Sequence, residues 1–552
     1  MKKLSSQLGL LVSAIFLSAI SLIYELSYCK IISKFTGNAV IWESLGMGAF
    51  LLGMGVGSFI LDERKEKNEA PELSTVQFIL SLFGLTFPVM IYLCHILYRI
   101  NYFDGGLFYL EDGFQRIYVF GAFSLLFPFL IGLFSGMELP LLLDKAKFKN
   151  SFPILMGCYY FGALIATLAF QHFLKSSVSD MELGIFAAFV NFIFFIKFRY
   201  ENKSFSISNA MPVLILLSLA IYVSLFSKSL EMTQIKNFYH NRLSFTVNFK
   251  DKVDLTPKVP FSELDGFLTN KQDVERYRSF YHDIDLVKYE EDGVEGFNVY
   301  IDGRFQFGSE SDKEYHEYMA HIPIMLNYAK IPKKVLVLGG GDGILAKELL
   351  RHKDLKSLRL VDIDKKMLDL AKTHPLFLKM NGGSFFDKRV ELISEDAFSF
   401  LRNHNEKYDA VYMDFTFPFS FDVARLYSVE FLSGVAKVLS EEGVFVHSTP
   451  FPFSYGDHYD VNYYDQLISS TYQISGLKSL LMYTDPQNSF IVASTKNRKW
   501  KSDFNDLNLS YKTSLSSVFN EKKHRLIKVP IREDMVNSLF KPKFMGFHDF
   551  LF

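Results

Sequence analysis

Apolar residues in this chain are arranged in two ways. Up to about residue 230 they form long runs with few charges; beyond it they form short runs rich in β-branched residues, separated by Gly, Asp, Asn and Lys. Seven long runs, near 7–28, 38–61, 75–98, 117–140, 152–174, 182–197 and 211–227, have about the 17 to 25 residues that a helix needs to cross a bilayer, the sixth falling a little short. Lys2 and Lys3 precede the first run as in a signal peptide. The run continues to about Leu26 without a small-x-small cleavage site, however, and Tyr28 is too large to precede a lipidated Cys29. The first run is expected to remain as a helix.

Basic residues gather at the start (Lys2, Lys3) and after the second (Arg64, Lys65, Lys67), fourth (Lys145, Lys147, Lys149) and sixth (Lys197, Arg199, Lys203) runs. The positive-inside rule makes those ends cytoplasmic. Seven crossings then put the C-terminal part outside, where a nucleotide-type ligand for its glycine-rich motif would be scarce. The chemistry is given more weight, because one misread run, the short sixth or the Gly-rich second, reverses the count. The expectation is a multi-pass protein of the cell (inner) membrane with a cytoplasmic catalytic domain. Within the runs, Glu25, Glu43 and Glu138 are costly unless paired or facing a cavity. Pairing with Tyr, His or Lys of a neighbouring helix is the first expectation, and a bound amine or a proton path the functional alternative. Gly46, Gly48, Gly53, Gly55 and Gly57 would let helices approach closely.

Farther on, residues 297–301 and 304–307 flank Asp302-Gly303, a two-residue hairpin signal. Strands at 335–338, 357–361, 390–393, 410–413 and 444–447 then alternate with amphipathic helical stretches, the pattern of a parallel sheet covered by helices. The expected organisation is an integral membrane domain of about seven transmembrane helices over 1–230, a small, mainly β-hairpin subdomain over 231–330, and an α/β Rossmann-like (methyltransferase-type) parallel-sheet domain over 331–552.

Composition sharpens this division. The 552 residues are 49% hydrophobic and 22% charged with a mean hydropathy of +0.13, yet residues 1–230 hold only 32 of the 119 Asp, Glu, Lys and Arg side chains. A lipid bilayer is therefore the expected partner of the first part. With 59 basic and 60 acidic residues the net charge is −1, which argues against nucleic acid as a partner. Cys29, Cys94 and Cys158 have the spacing of neither a zinc site nor a disulfide framework, and no metal is expected. A homo-oligomer is left open.

The strand at 335–338 runs into Gly339-Gly340-Gly341-Asp342-Gly343 and then a helical stretch at 344–350. A glycine turn there lies at the carboxyl edge of the sheet, where α/β proteins bind ligands. Its G-x-G-x-G spacing matches neither the nicotinamide fingerprint nor the P-loop. The next strands end in acids: Asp362 and Asp364, Glu395 and Asp396, and Asp414. Asp362 follows Gly343 by 19 residues, the separation at which an acid accepts hydrogen bonds from ribose hydroxyls. Carboxylates converging from successive strand ends suit a nucleoside without phosphates, and a cationic sulfonium better than a polyanion. For Asp364 and Glu395, helix capping is the alternative.

The run Tyr315-His316-Glu317-Tyr318-Met319-Ala320-His321-Ile322-Pro323, preceded by Ile301-Asp302-Gly303-Arg304-Phe305-Gln306 and followed by the glycine loop, resembles the spermidine synthase (polyamine aminopropyltransferase) family. The order of hairpin, Tyr-His-Glu, glycine loop, Glu395-Asp396-Ala397 and Asp414 keeps that resemblance over about 275–450. Leu426-Tyr427-Ser428-Val429-Glu430-Phe431 and Ser448-Thr449-Pro450-Phe451, with Tyr24-Glu25 and the Gly-rich second run, are similar to its bacterial multi-pass membrane branch. The resemblance implies transfer of an aminopropyl group from decarboxylated S-adenosylmethionine, a co-substrate and not a permanently bound cofactor, to an amine, putrescine by default. It implies Asp342 and Asp362 near the ribose, Asp396 near the adenine, and Tyr315 and His316 on the aminopropyl side. Gly339, Gly341, Gly343 and Glu395 complete the implied donor-binding set, and Asp414 is the implied general base.

Departures fall on the acceptor side. The family's Asp-x-x-Asp-Pro would put a second acid where Phe417 stands in Asp414-Phe415-Thr416-Phe417-Pro418, and a ring face offers an ammonium only about 0.5 to 2 kcal/mol. The expected Tyr-Gln is Tyr281-His282, and the acceptor segment is poorly matched around Tyr483-Thr484-Asp485-Pro486. Two other functions compete. One is an S-adenosylmethionine-dependent methyltransferase, against which Tyr315-His316-Glu317 argues. The other is a non-catalytic nucleoside or polyamine sensor coupled to a membrane transport domain, favoured by Phe417 and the intramembrane acids. Residues 500–552 carry no chemical motif.

Overall fold

The computed structural model describes residues 2–36, 39–101, 121–201, 210–239, 273–291, 294–309, 312–327, 330–416, 421–449, 461–484, 489–498, 500, 524–526 and 531–543. The chain divides into two compact units, Met1–Thr246 with Asp254–His282 and Phe552, and Val247–Val253 with Asp283–Leu551.

In the first unit α1 (Lys2–Thr36), α2 (Ala39–Glu66), α3 (Leu73–Asn101), α4 (Leu126–Lys145), α5 (Ser151–Ala169), α6 (Asp180–Glu201) and α7 (Ala210–Tyr239) supply, among the described residues, seven spans long and apolar enough to cross a membrane. The sixth run is short only in its apolar count. Its helix continues through Lys197, which bonds the Gly9 carbonyl and the Ser13 hydroxyl, and Arg199, which pairs with Glu72.

Helix directions alternate. Ser21 of α1 meets Ser135 and Glu138 of α4 while Tyr28 meets Ser124, so these two run antiparallel. Lys197 of α6 lies against Gly9 and Lys30 of α1 pairs with Asp180, so these do too. Helices α2 and α4 run parallel and touch backbone to backbone. A Cβ on Gly53 or Gly57 would overlap the Phe129 or Leu133 carbonyl oxygen, and one on Gly132 or Gly136 those of Phe50 or Met54. Small residues spaced four apart on both partners permit that approach. Tyr92, late in α3, reaches the Thr233 carbonyl, late in α7, so α7 runs with α3. One end of the unit is ionic, tied by Lys65–Asp144 (2.6 Å), Lys145–Glu201 (3.8 Å) and Arg199–Glu72 (3.2 Å). Helix α7 begins at this end and leaves from the other. Beyond it, β1 (Val274–Arg278) joins the same unit through an Arg278–Glu231 ion pair.

In the second unit β2 (Asp283–Glu291), β3 (Val294–Ile301) and β4 (Arg304–Gly308) pair antiparallel. The β3–β4 turn places Asp302 (φ 49°) and Gly303 (φ 79°) in the left-handed region, which suits strand twist. Then follow α8 (Asp312–Leu326), β5 (Lys334–Gly339), α9 (Ile344–Leu350), β6 (Ser357–Asp362), α10 (Lys365–Thr373), α11 (Pro375–Asn381), β7 (Val390–Ser394), α12 (Ala397–Asn403), β8 (Tyr408–Asp414), α13 (Val429–Val438), β9 (Leu439–Thr449), α14 (Val461–Ile474), β10 (Ser479–Thr484), β11 (Ser489–Ser494) and β12 (His524–Leu526).

One sheet runs β12-β10-β11-β9-β8-β5-β6-β7. It is parallel from β7 to β9 and antiparallel beyond. The sequence predicts five strands, and the structure adds three antiparallel ones whose apolar runs are too short to be distinguished from helix by periodicity. Leu336, Leu338, Val411 and Met413 are fully buried, packed with Phe431, Leu432 and Val435 of α13. From β5 the chain moves outward to β7 and then returns to β8 on the other side of β5. A crevice opens at such a reversal, beyond the carboxyl ends of the strands.

Candidate active site

Strand β5 ends at Gly339 and β8 at Asp414, and the two residues are partners in the parallel register. Gly339 (φ +85°), Gly340 (φ +65°) and Gly343 (φ +81°) are left-handed. A Cβ on Gly339 would overlap the Asp414 carbonyl oxygen, and one on Gly341 would press on the Asp362 carboxylate. Bare backbone is what allows Gly340 N–H to reach the Asp414 carbonyl (3.0 Å) and Gly341 N–H to reach Asp362 Oδ2 (3.0 Å). Asp362 Oδ1 accepts from Asp364 N–H (2.8 Å), and its carbonyl from Glu395 N–H (3.2 Å). Asp342 accepts from Ile344 N–H at 2.7 Å. Gly339, Gly341, Asp342, Gly343, Asp362 and Glu395 are thereby gathered about one loop.

The Asp414 carboxylate lies beside it. Oδ1 accepts the Tyr315 hydroxyl at 3.0 Å. Oδ2 is buried and, among the described residues, has no hydrogen-bond donor; His316 Nε2 is 3.7 Å away. Burial, and then the Asp414 charge, push the Tyr315 phenol well above its ordinary value, so it stays a donor to the carboxylate. Tyr427, whose hydroxyl bonds the Thr416 carbonyl (3.1 Å), is raised for the same two reasons. Ser448 also bonds Tyr315, and the Phe490 ring lies 5.4 Å from the Tyr315 ring. His316, Asp342 and Asp414 each bring one ligand-type atom within 4.8 Å of the others. A nitrogen and two carboxylate oxygens at that spacing could hold a divalent cation or receive an ammonium, although the sequence gives no expectation of a metal.

Asp396 is engaged elsewhere. It caps α12 by accepting Ser399 N–H (3.1 Å), and both its oxygens take Arg425 nitrogens (2.8 and 3.3 Å). The guanidinium also rests on the Phe398 ring at 5.9 Å. Asp364 caps α10 through Lys366 N–H, the alternative weighed for that acid. Arg425, Tyr427, Ser448 and Phe490 are missed by the sequence-based choice of site residues. The first three lie in or beside the Leu426–Phe431 and Ser448–Phe451 segments, which held the only available signal. Phe490 arrives through the β9–β11 pairing, Phe490 opposite Ser448. Phe417, Pro418, Phe451, Asp485 and Pro486 lie outside the described residues, and Tyr281 and His282 belong to the first unit.

Helix α8, which carries Tyr315 and His316, is bound to α9 by a buried network. Glu317 pairs with Arg351 (3.4 Å), Arg351 with Glu348 (2.6 Å), Glu348 with His321 (3.2 Å), and His321 Nδ1 meets His352 Nε2 at 2.9 Å. Burial, and then the neighbouring His321 and Arg351, hold His352 down at about 4. Burial alone would raise Glu348, but the bonds from His321 and Arg351 outweigh it and hold the carboxyl at about 2.

Residues 312–502 match the spermine/spermidine synthase domain family. The chain is 27% identical over 448 residues to a polyamine aminopropyltransferase of Leptospira interrogans, covering 79% of this chain and 78% of that protein. It is 36% identical over 177 residues to polyamine aminopropyltransferase 2 of Bacillus cereus, covering 32% and 46%. A solved spermidine synthase from Thermotoga maritima is 25% identical, covering 42% of this chain and 80% of that one with a TM-score of 0.34. A match to 79% of the chain exceeds everything after Thr246, so the likeness to the Leptospira protein runs into the helical unit.

Proposed function

From the match of residues 312–502 to the spermine/spermidine synthase domain family, we propose that the chain is a membrane-bound polyamine aminopropyltransferase. It moves the aminopropyl group of decarboxylated S-adenosylmethionine to putrescine or a related amine. The observation that carries this reading is the state of Asp414: one carboxylate oxygen is fixed by Tyr315, and the other, beside the glycine loop, is buried without a donor among the described residues. An ammonium nitrogen is the donor that such an oxygen lacks.

Asp414 Oδ2 takes a proton from the acceptor ammonium, and the freed nitrogen lone pair forms a bond to the aminopropyl carbon attached to sulfur. The carbon–sulfur bond breaks, its electron pair stays on sulfur, and the sulfonium leaves as neutral methylthioadenosine. The leaving group is already activated, so the protein's share is orientation, deprotonation and exclusion of water. Asp342 and Asp362 hold the ribose, with Gly339, Gly341 and Gly343 giving backbone access and Glu395 flanking Asp362. Asp396 reads the adenine edge once Arg425 gives up its oxygens, and Tyr315 and His316 line the aminopropyl side.

The test is mass-spectrometric detection of methylthioadenosine after incubating the detergent-solubilised chain with decarboxylated S-adenosylmethionine and a panel of amines. Positioned proton transfer is worth about 10²- to 10⁴-fold in rate, and Asp414→Asn should lose that much. No product from a preparation that binds the donor would overturn the reading.

In the cell, we place the chain in the inner membrane through its seven apolar helices, with the transferase domain on the cytoplasmic face where a nucleoside donor is made. A second reading of the orientation has its own support. The chain leaves α7 from the end opposite the basic ends of α2, α4 and α6, and the charge rule then puts the following residues outside. A membrane-impermeant thiol reagent against a cysteine introduced at Phe386, which is exposed, separates the two. Labelling in sealed cells supports the second, and labelling only after lysis the first.

A further inference from the structure

The helical unit contains one intramembrane carboxyl whose surroundings ask for a ligand. Glu138 of α4 is fully buried. Its Oε1 accepts from Gln77 Nε2 of α3 at 2.6 Å, and its Oε2 from the hydroxyls of Ser21 of α1 and Tyr159 of α5, each at 3.2 Å. Ser21 also reaches Ser135 of α4 at 3.0 Å. All three donors to the carboxyl are neutral, and among the described residues no cationic side chain pairs with it. Neutral donors lower the cost of a buried charge without cancelling it.

The second observation is on Gln77. This side chain is also fully buried, and Oε1, the other end of the amide whose nitrogen touches Glu138, has no hydrogen-bond donor among the described residues. Turning the amide over would bring Oε1 to the carboxyl. That contact is attractive only if the carboxyl carries a hydrogen. One proton therefore answers both defects, the uncompensated charge and the orphaned acceptor. The members of the cluster already stand at hydrogen-bonding distance from one another, so its occupant is small.

We propose that Glu138 and Gln77 form a proton-binding site in the helical unit. One proton, delivered by water, bonds to Glu138 Oε1 and is accepted by Gln77 Oε1; release returns it to water and restores the carboxylate. Glu138 lies seven residues before the end of α4, about 10 Å along the helix from its basic end. Among the described residues, the charged or titratable groups facing it are few. Helix α5 brings Tyr159. Helix α1 brings Tyr24, one turn from Ser21 and bonded to the Leu80 carbonyl and to Asn191 of α6. Helix α2 brings Lys65, whose ammonium is on the Pro140 carbonyl and Asp144, and α3 brings, among its described side chains, the uncharged Gln77. Because four helices meet at this carboxyl, any movement that parts α3 or α5 from α4 changes its proton affinity, which equips the unit to couple helix motion to proton uptake.

Infrared difference spectra of the full chain in nanodiscs, in light and heavy water, test this. The expected result is a protonated-carboxyl carbonyl band that shifts on deuteration, vanishes in Glu138→Gln, moves in Glu138→Asp, and moves without vanishing in Gln77→Leu. The deuteration shift in the unaltered chain and the Gln77→Leu arm do not depend on the Glu138 variants folding. A band unchanged in Glu138→Gln, or no such band in the unaltered folded chain, overturns the proposal.

Discussion

Replacing Gly339 by alanine is the smallest change that should disturb both the fold and the chemistry. Its φ of +85° costs an L residue about 1 to 2 kcal/mol. The added Cβ would overlap the Asp414 carbonyl oxygen, which already accepts from Gly340 N–H. Relief requires the paired ends of β5 and β8 to separate, and losing that bond costs a further 0.5 to 1.5 kcal/mol or so. The sum is about 1.5 to 3.5 kcal/mol, which for a domain of this size lowers its Tm by roughly 3 to 14 °C. The same displacement moves Asp414 relative to Tyr315, and an error of about 1 Å at a reacting group can cost 10²-fold in rate. Thermal unfolding of the solubilised chain followed by intrinsic fluorescence, with methylthioadenosine release on the same preparation, gives both numbers. A Tm within a degree of the parent together with undiminished turnover would refute the claim that this glycine positions the carboxylate.

Two other expectations follow from named contacts. Arg425 competes for the Asp396 oxygens; the pair is partly exposed and worth at most about 1 kcal/mol, so Arg425→Gln should lower the KM for the nucleoside donor by up to about fivefold with kcat little changed, whereas a raised KM would show that the arginine helps to bind the donor. His352 is held at about 4, and burial holds His447 at about 3, against 6.5 for an ordinary histidine; the unfolded chain therefore takes up protons first, stability is complete above about pH 6.5 and falls as the pH drops toward those folded values. Tm measured across that window should decline, and decline less in His447→Gln; a flat profile would show that these rings are not held neutral.

Much of this is legible in the sequence because the relevant signals are local. Length and apolarity mark the seven helices, and strand–glycine–helix punctuation marks Gly339 to Gly343. What escapes is fixed by contacts between distant segments. Nothing near Asp396 announces that Arg425 will take both its oxygens, since that pairing depends on how the turn before α13 lies beside α12. Gln77, Ser21 and Tyr159 look like ordinary polar residues in apolar runs, and only the alternating helix directions bring them to Glu138. Strand β9 is longer than its apolar stretch suggests, because Leu439 and Val444 find partners on β8 despite the acidic residues between them. Asp364 shows the reverse case, an acid at a strand end whose capping role was equally readable from its position.

The order in which the helices are made matters for Glu138. On insertion scales a charged residue at the middle of a helix disfavours entry into the bilayer by about 2.5 to 3.5 kcal/mol. Two of its three hydrogen-bond donors, Ser21 and Gln77, sit on helices synthesised earlier than α4, and the third, Tyr159, on the next one. Helix α4 can thus be received into the membrane by neighbours already present, and α5 completes the enclosure as soon as it emerges. Chains with α1 or α3 exchanged for plain leucine helices should fail during biogenesis, with α4 left partly untranslocated, before the transferase domain has been synthesised.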